Sequence, residues 1–211
     1  MPETGGATYR GGMASIDHVT IGATDVVTAE RFYAALGVHD HVRVRASESS
    51  SSGFEGFTLS LVVPRPSDVD DVVAKGVAAG GEALKPAKKS LWGYGGVVRA
   101  PDGTICTIAS STKKDVGPPT GRIEDVVLQL GVTDVAASRE FYAERGFTVT
   151  KSYGRKYVEF GTAPIQLTLL KREALAKAAG VSATGSGPAR LVVTSDDGSF
   201  SDPDGFAWEG V

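Results

Sequence analysis

Apolar and polar positions alternate from His18 to Ile21, so that Val19 and Ile21 share the core face of a strand while His18 and Thr20 share the other. The period then changes. Thr24 and Asp25 precede apolar residues at helical spacing that run to Gly37, which predicts a helix with Asp25 as its N-cap and the glycine as its stop. The same switch occurs a second time. Residues 18–38 and 127–147 align without a gap at an offset of 109, placing Thr24, Asp25, Phe32, Tyr33 and Gly37 on Thr133, Asp134, Phe141, Tyr142 and Gly146. Downstream, residues 41–47 and 57–63 read as strands separated by a polar, serine-rich loop, and residues 66–80 as an amphipathic helix. Two further strands flank the turn "PDG" at 101–103. After the second copy of the strand and helix, residues 147–171 read as a three-stranded meander and residues 172–181 as a helix. A strand over residues 189–195 follows, and "PDG" recurs at 203–205.

The chain is therefore a degenerate tandem duplication. Its expected organisation is a flexible segment over residues 1–14, one half over 15–111, a linker over 112–122 and a second half over 123–211; prolines and glycines in "TKKDVGPPTG" stop helix and sheet alike. Neither half is regular. Between Gly37 and Phe57 there is room for one strand where the repeat pattern would need more, and between Arg190 and Pro203 there is no room for a helix, so the halves are expected to lean on one another.

Composition narrows the function. Hydrophobic residues make up 41% of the 211 positions, enough to bury a sizeable core. A formal charge of −3 with scattered basic residues disfavours nucleic-acid binding. The single cysteine, Cys106, excludes an intrachain disulfide and a thiolate zinc site, and parity makes it a buried apolar residue. The sequence has no membrane-length apolar run and its N-terminus has no signal-peptide core, so a cytoplasmic address is expected.

With strand, Phe-Tyr helix, further strands and a closing "PDG" hairpin in each copy, the chain resembles the vicinal oxygen chelate superfamily, which includes glyoxalase I, bleomycin-resistance proteins and extradiol dioxygenases. The resemblance implies an α+β, glyoxalase-like fold of tandem degenerate βαβββ modules, with curved, mostly antiparallel sheets forming cups and helices outside. It also implies, for the family's enzymes, a divalent metal at the bottom of a cup. Carried onto this sequence, the ligand positions fall on His18, about Phe57 and Thr107 in the first half, and on Val127, Gln166, about Arg190 and Glu209 in the second. These residues make a poor metal set, because a guanidinium donates hydrogen bonds but never coordinates. No metal and no cofactor are expected.

Parity predicts one apolar cup with Phe57, Ile105 and Thr107 near His18, and one polar cup with Gln129, Gln166, Thr168, Arg190 and Glu209. An Arg190–Glu209 pair is expected to fill the place of a metal. Trp92 and Tyr94, in the glycine-flanked stretch "SLWGYGG", read either as an aromatic lid at a cup rim or as packing over a sheet edge, and His39 and His41 as a solvated turn. The expected binding residues are thus His18, Phe57, Trp92, Tyr94, Gln166, Arg190 and Glu209. The expected partner is a small, aromatic or otherwise bulky molecule held without metal, with a homodimer left open. A metal-dependent lyase, isomerase or dioxygenase, and a non-catalytic regulatory or scaffolding role, are the alternatives.

Overall fold

A computed structural model describes residues 14–48, 53–91, 93–115, 117–185 and 190–211; Trp92 and the N-terminal segment up to residue 13 lie outside them. The chain opens with β1 (Ile16–Ala23), α1 (Val26–Leu36) and β2 (Val42–Ala46). Asp25 caps α1 by accepting from the Thr28 amide at 3.0 Å, and Gly37 ends it at a left-handed φ of 77° that favours glycine.

Two complete βαβββ units follow. The first comprises β3 (Phe57–Val62), α2 (Pro66–Ala78), β4 (Glu82–Ser90), β5 (Gly93–Arg99) and β6 (Ile105–Ser110). The second comprises β7 (Asp125–Val132), α3 (Val135–Glu144), β8 (Val149–Ser152), β9 (Tyr157–Phe160) and β10 (Ile165–Lys171). Helix α4 (Arg172–Ala179) then leads to β11 (Leu191–Ser195), β12 (Phe200–Ser201) and β13 (Ala207–Gly210).

An eight-stranded sheet runs β4-β5-β6-β3-β7-β10-β9-β8, and a five-stranded sheet runs β12-β13-β11-β1-β2. In each complete unit the first and last strands pair in parallel, β3 with β6 and β7 with β10. The same parallel pairing joins β1 to β2 and β11 to β13, which identifies these strands as the first and last of two shortened units. One has lost its two middle strands and the other its helix and one strand, in agreement with the missing sequence lengths. Antiparallel pairs join the units: β3 to β7 with Leu59 opposite Leu128, and β1 to β11 with His18 opposite Thr194. Each sheet therefore takes strands from both sides of the 112–122 segment.

That segment is anchored on α2. Asp68, fully buried in the first turn of the helix, accepts from the Thr120 amide (2.5 Å), the Thr120 hydroxyl (2.9 Å) and the Gly121 amide (3.1 Å), and the Ser67 hydroxyl donates to the Gly117 carbonyl. Strand β4 carries no strand pattern in sequence, with Pro86 and three lysines. It is an edge strand, mostly exposed and interrupted by register shifts, where proline and lysine are tolerated because one side needs no ladder partner.

One apolar core unites both sheets with α1, α2 and α3, including Val19, Ile21, Leu59, Leu61, Leu128, Leu167 and Leu169. Cys106 lies within it, and burial pushes its thiol pKa up. Trp208 packs against Tyr142 and Phe147, with ring centres at 5.5 and 5.4 Å. The repeated Phe-Tyr pair acquires a physical reason here. Tyr33 and Tyr142 are buried, so each hydroxyl needs a partner, and each donates at 2.7 Å to an aspartate in or beside a "PDG" turn, Asp102 and Asp202 respectively. Asp202 also accepts from the Phe206 and Asp204 amides.

Helix α4 departs from the expected plan of helices outside. Leu175, Ala176 and Ala179 pack with Val97 and Ile105, which belong to the opposite face of β5 and β6 from the one that Val98 and Cys106 present to the main core. The helix thus covers part of the eight-stranded cup from within, because its apolar stripe meets a matching apolar surface there.

Tyr142→Phe leaves the buried Asp202 short of a donor and is expected to cost about 1–3 kcal/mol in urea unfolding. Acid separates two classes of aspartate. Hydrogen bonds from the Ala136 and Ala137 amides hold Asp134 below the usual carboxyl range, so its contribution is present above about pH 3.9 and is lost as pH falls through the lowered value. Burial raises Asp202, so its contribution is full below about pH 3.9 and is lost as pH rises through the folded value. Asp134→Ala should therefore lower the melting temperature at pH 7, with a difference that shrinks toward pH 2.

Candidate functional site: a cleft over a buried ion pair

Arg190 stands just before β11 and is 3% exposed. Its Nε donates to Glu55 Oε1 at 2.6 Å, and Nη1 donates to the carbonyls of Gly22 (2.8 Å) and Asp102 (2.6 Å). Glu55 is 6% exposed, so the pair is desolvated and charge-assisted. The expected Arg190–Glu209 pair does not form. Glu209 is exposed on β13, opposite Thr194, and Arg190 lies four residues away along β11, about 13 Å at strand spacing.

The segment 53–56 that carries Glu55 is held against residues 182–185. Gly53 bridges Gly185, and the Phe54 amide donates to the Thr184 carbonyl at 3.2 Å. A Cβ on Gly185 would sit 2.4 Å from the Phe54 nitrogen, so only glycine permits this approach. Arg172, at the start of α4, reinforces the contact by donating to the carbonyls of Phe54 and Ala183.

Between these segments and the 99–105 hairpin lies a cleft of about 400 Å³. Phe54, Ile105 and Val181 supply apolar wall, while Arg99, Ser182 and Thr184 supply polar lining. It continues inward to a recess bordered by Glu55, Phe57, Thr104 and Arg190. Arg99 pairs with Glu82 at 2.7 Å. Glu55 Oε2 is buried and has no hydrogen-bond partner.

Of the residues expected from sequence, Phe57 and Arg190 meet at this recess. His18 and Glu209 lie on the five-stranded sheet, in one row through Thr194. Gln166 lies on β10 and donates to Asp125 at 3.2 Å, while Gln129, on the neighbouring β7, accepts from Thr58 at 3.0 Å. Tyr94 is a strand residue of β5 whose hydroxyl donates to Asp70 of α2 at 2.9 Å, which turns it toward the helix. Trp92 lies outside the described residues. His39 and Asp40 are exposed, 3.5 Å apart, in a turn. Glu55 escaped the sequence reading because strand parity does not extend into a loop; the surviving signal is an acid between Phe54 and Phe57 in "GFEGF".

The donor set does not suit a metal. His18 Nδ1 lies 2.7 Å from Asp17 Oδ2 and Nε2 lies 3.2 Å from Thr194 Oγ1, so both ring nitrogens are engaged. Among the described residues no group of three His, Cys, Asp or Glu side chains is placed to hold an ion. Likewise, no helix among them is long and apolar enough to cross a membrane.

The two sheets of linked βαβββ units define a glyoxalase-like fold. Glyoxalase I from Zea mays is similar in structure at a TM-score of 0.61 and 15% identity, over 92% of this chain and 91% of that one. A mutant of the same maize enzyme gives a TM-score of 0.62 at 14% identity, over 94% and 93%. A putative dioxygenase from Bacillus subtilis gives 0.55 at 12% identity, over 93% and 84%. No family model matches the chain, and no curated protein matches it significantly.

Removing one member of the Glu55–Arg190 pair strands a buried charge. Glu55→Ala is expected to destabilise by about 3–5 kcal/mol, and Glu55→Met with Arg190→Met by less than the sum of the single changes. Glu209→Ala should stay within about 0.5 kcal/mol. Chemical denaturation of the four proteins checks the set.

Proposed function

We propose that the protein binds a small molecule, aromatic or otherwise bulky, without a metal ion, in the cleft formed by residues 53–57, 99–105 and 181–184. The observation that carries this reading is the cleft itself: about 400 Å³, apolar at Phe54, Ile105 and Val181, and ending on a buried ion pair. Ligand sites have this form, an apolar hollow of a few hundred Å³ with few, fixed polar groups. The position of α4 supports it, since the helix occupies part of the cup and the residues after it make one wall of the cleft.

The fold alone does not choose between binding and catalysis, because functions are grafted onto folds at sites. Maize glyoxalase I and the Bacillus subtilis putative dioxygenase carry enzyme names, and a metal-dependent lyase, isomerase or dioxygenase is the competing reading. Its support is the row His18, Thr194, Glu209 on the five-stranded sheet, two ligand-type residues separated by one strand.

Metal and ligand titrations separate the readings. Equilibrium dialysis against zinc, nickel or manganese is expected to leave less than stoichiometric metal, and EDTA to leave the melting temperature unchanged, since a bound ion would stabilise by mass action. Small aromatic compounds should raise the melting temperature of the same protein. Stoichiometric metal that is lost on His18→Ala would put the enzyme reading first.

A further inference from the structure

Resting on the cleft reading above, we infer that the ligand is a neutral molecule with an apolar, ring-sized body and an N–H or O–H donor at its inner end, and that Glu55 Oε2 receives the donor. Glu55 engages Arg190 through Oε1; Oε2 is buried and unpartnered, and Glu55 and Arg190 both border the recess at the inner end of the cleft. A desolvated carboxylate oxygen without a donor is costly, so an occupant that supplies one is favoured over an occupant that does not. Free space in the recess is only about 10 Å³, enough for roughly one water-sized group. The inner end of the ligand is therefore a tip, an N–H, NH₂ or OH, with the body remaining in the wider cleft.

Charge selects among donors. Glu55 and Arg190 neutralise one another, so the recess offers no net charge to balance an ion. An ammonium there would sit against the Arg190 guanidinium, with the half-buried Arg99 on the cleft wall as a second cation. An anion would meet the bare Glu55 oxygen. A neutral donor meets neither repulsion and needs no ion to be stripped of water. The outer walls agree, because Phe54, Ile105 and Val181 offer surface to a ring, and the Arg172 guanidinium stacked near Phe54 at 5.3 Å holds that wall in place.

The experiment compares matched probes on the intact chain by ligand-observed NMR titration: indole with N-methylindole, benzamide with N,N-dimethylbenzamide, and benzoate and benzylammonium as charged controls. Each N–H probe is expected to bind about tenfold more tightly than its methylated partner, the difference one hydrogen bond to a charged acceptor makes. Both charged controls should bind more weakly than benzamide. Ser182→Trp, at the exposed lip, is expected to block every probe while leaving the ion pair intact. Glu55→Met with Arg190→Met should bring the paired affinities to equality; where that variant does not fold, the wild-type ratios decide alone. Equal affinity within pairs, with Ser182→Trp still blocking them, overturns the donor inference and leaves the cleft reading standing. Binding that survives Ser182→Trp, or no binding by any probe, overturns both. Tighter binding of benzoate or benzylammonium overturns the requirement for neutrality.

Discussion

A single guanidinium holds together parts of the chain that no local interaction would join. Arg190 reaches the end of β1 through the Gly22 carbonyl, the first "PDG" turn through the Asp102 carbonyl, and the loop before β3 through Glu55. Those contacts span sequence separations of 168, 88 and 135 residues. Arginine suits the position because its planar donors stay charged and address several acceptors in fixed directions. The geometry leaves one carboxylate oxygen of Glu55 without a partner, and Glu55 borders the recess at the end of the cleft. The pair that ties these segments together also borders the recess of the cleft.

The duplication explains why such a cross-brace is needed. Complete βαβββ units occupy the middle of the chain and form the eight-stranded sheet between them; the shortened units occupy the two ends and form the five-stranded sheet. A unit of two or three strands is too small to be stable alone, so β1 and β11 complete one another across the length of the sequence. The tyrosine-aspartate bonds add a second set of ties, Tyr33 to Asp102 and Tyr142 to Asp202, each linking the helix of one unit to the hairpin of the next within its half.

On the five-stranded sheet, His18 is tied to Asp17 and Thr194, and Glu209 is turned to solvent. The cup of the eight-stranded sheet is lined in part by Thr58, Gln129 and Thr168 and partly covered by α4. What remains open is the cleft at the edge of that helix, with apolar wall from Phe54, Ile105 and Val181 and polar lining from Arg99, Ser182 and Thr184.

Local periodicity was enough to determine the strands and helices of the repeat, the aspartate caps, the core faces of β1 and β10 and the burial of Cys106, because each is set by neighbours within a few residues; the glyoxalase-like fold class came from the resemblance of the repeated stretches to a known family. It also showed which units were short. It did not show β4, whose edge position tolerates a proline and lysines that a central strand would reject. Nor did it show which carboxylate Arg190 meets. Parity places Arg190 and Glu209 on the same sheet face, yet position along the strand separates them, while Glu55 arrives from a loop whose path is fixed only by Gly53, Gly185 and Arg172. Contacts between residues more than a hundred positions apart are decided by how the sheets pair and what packs across them, and that is a property of the tertiary structure alone.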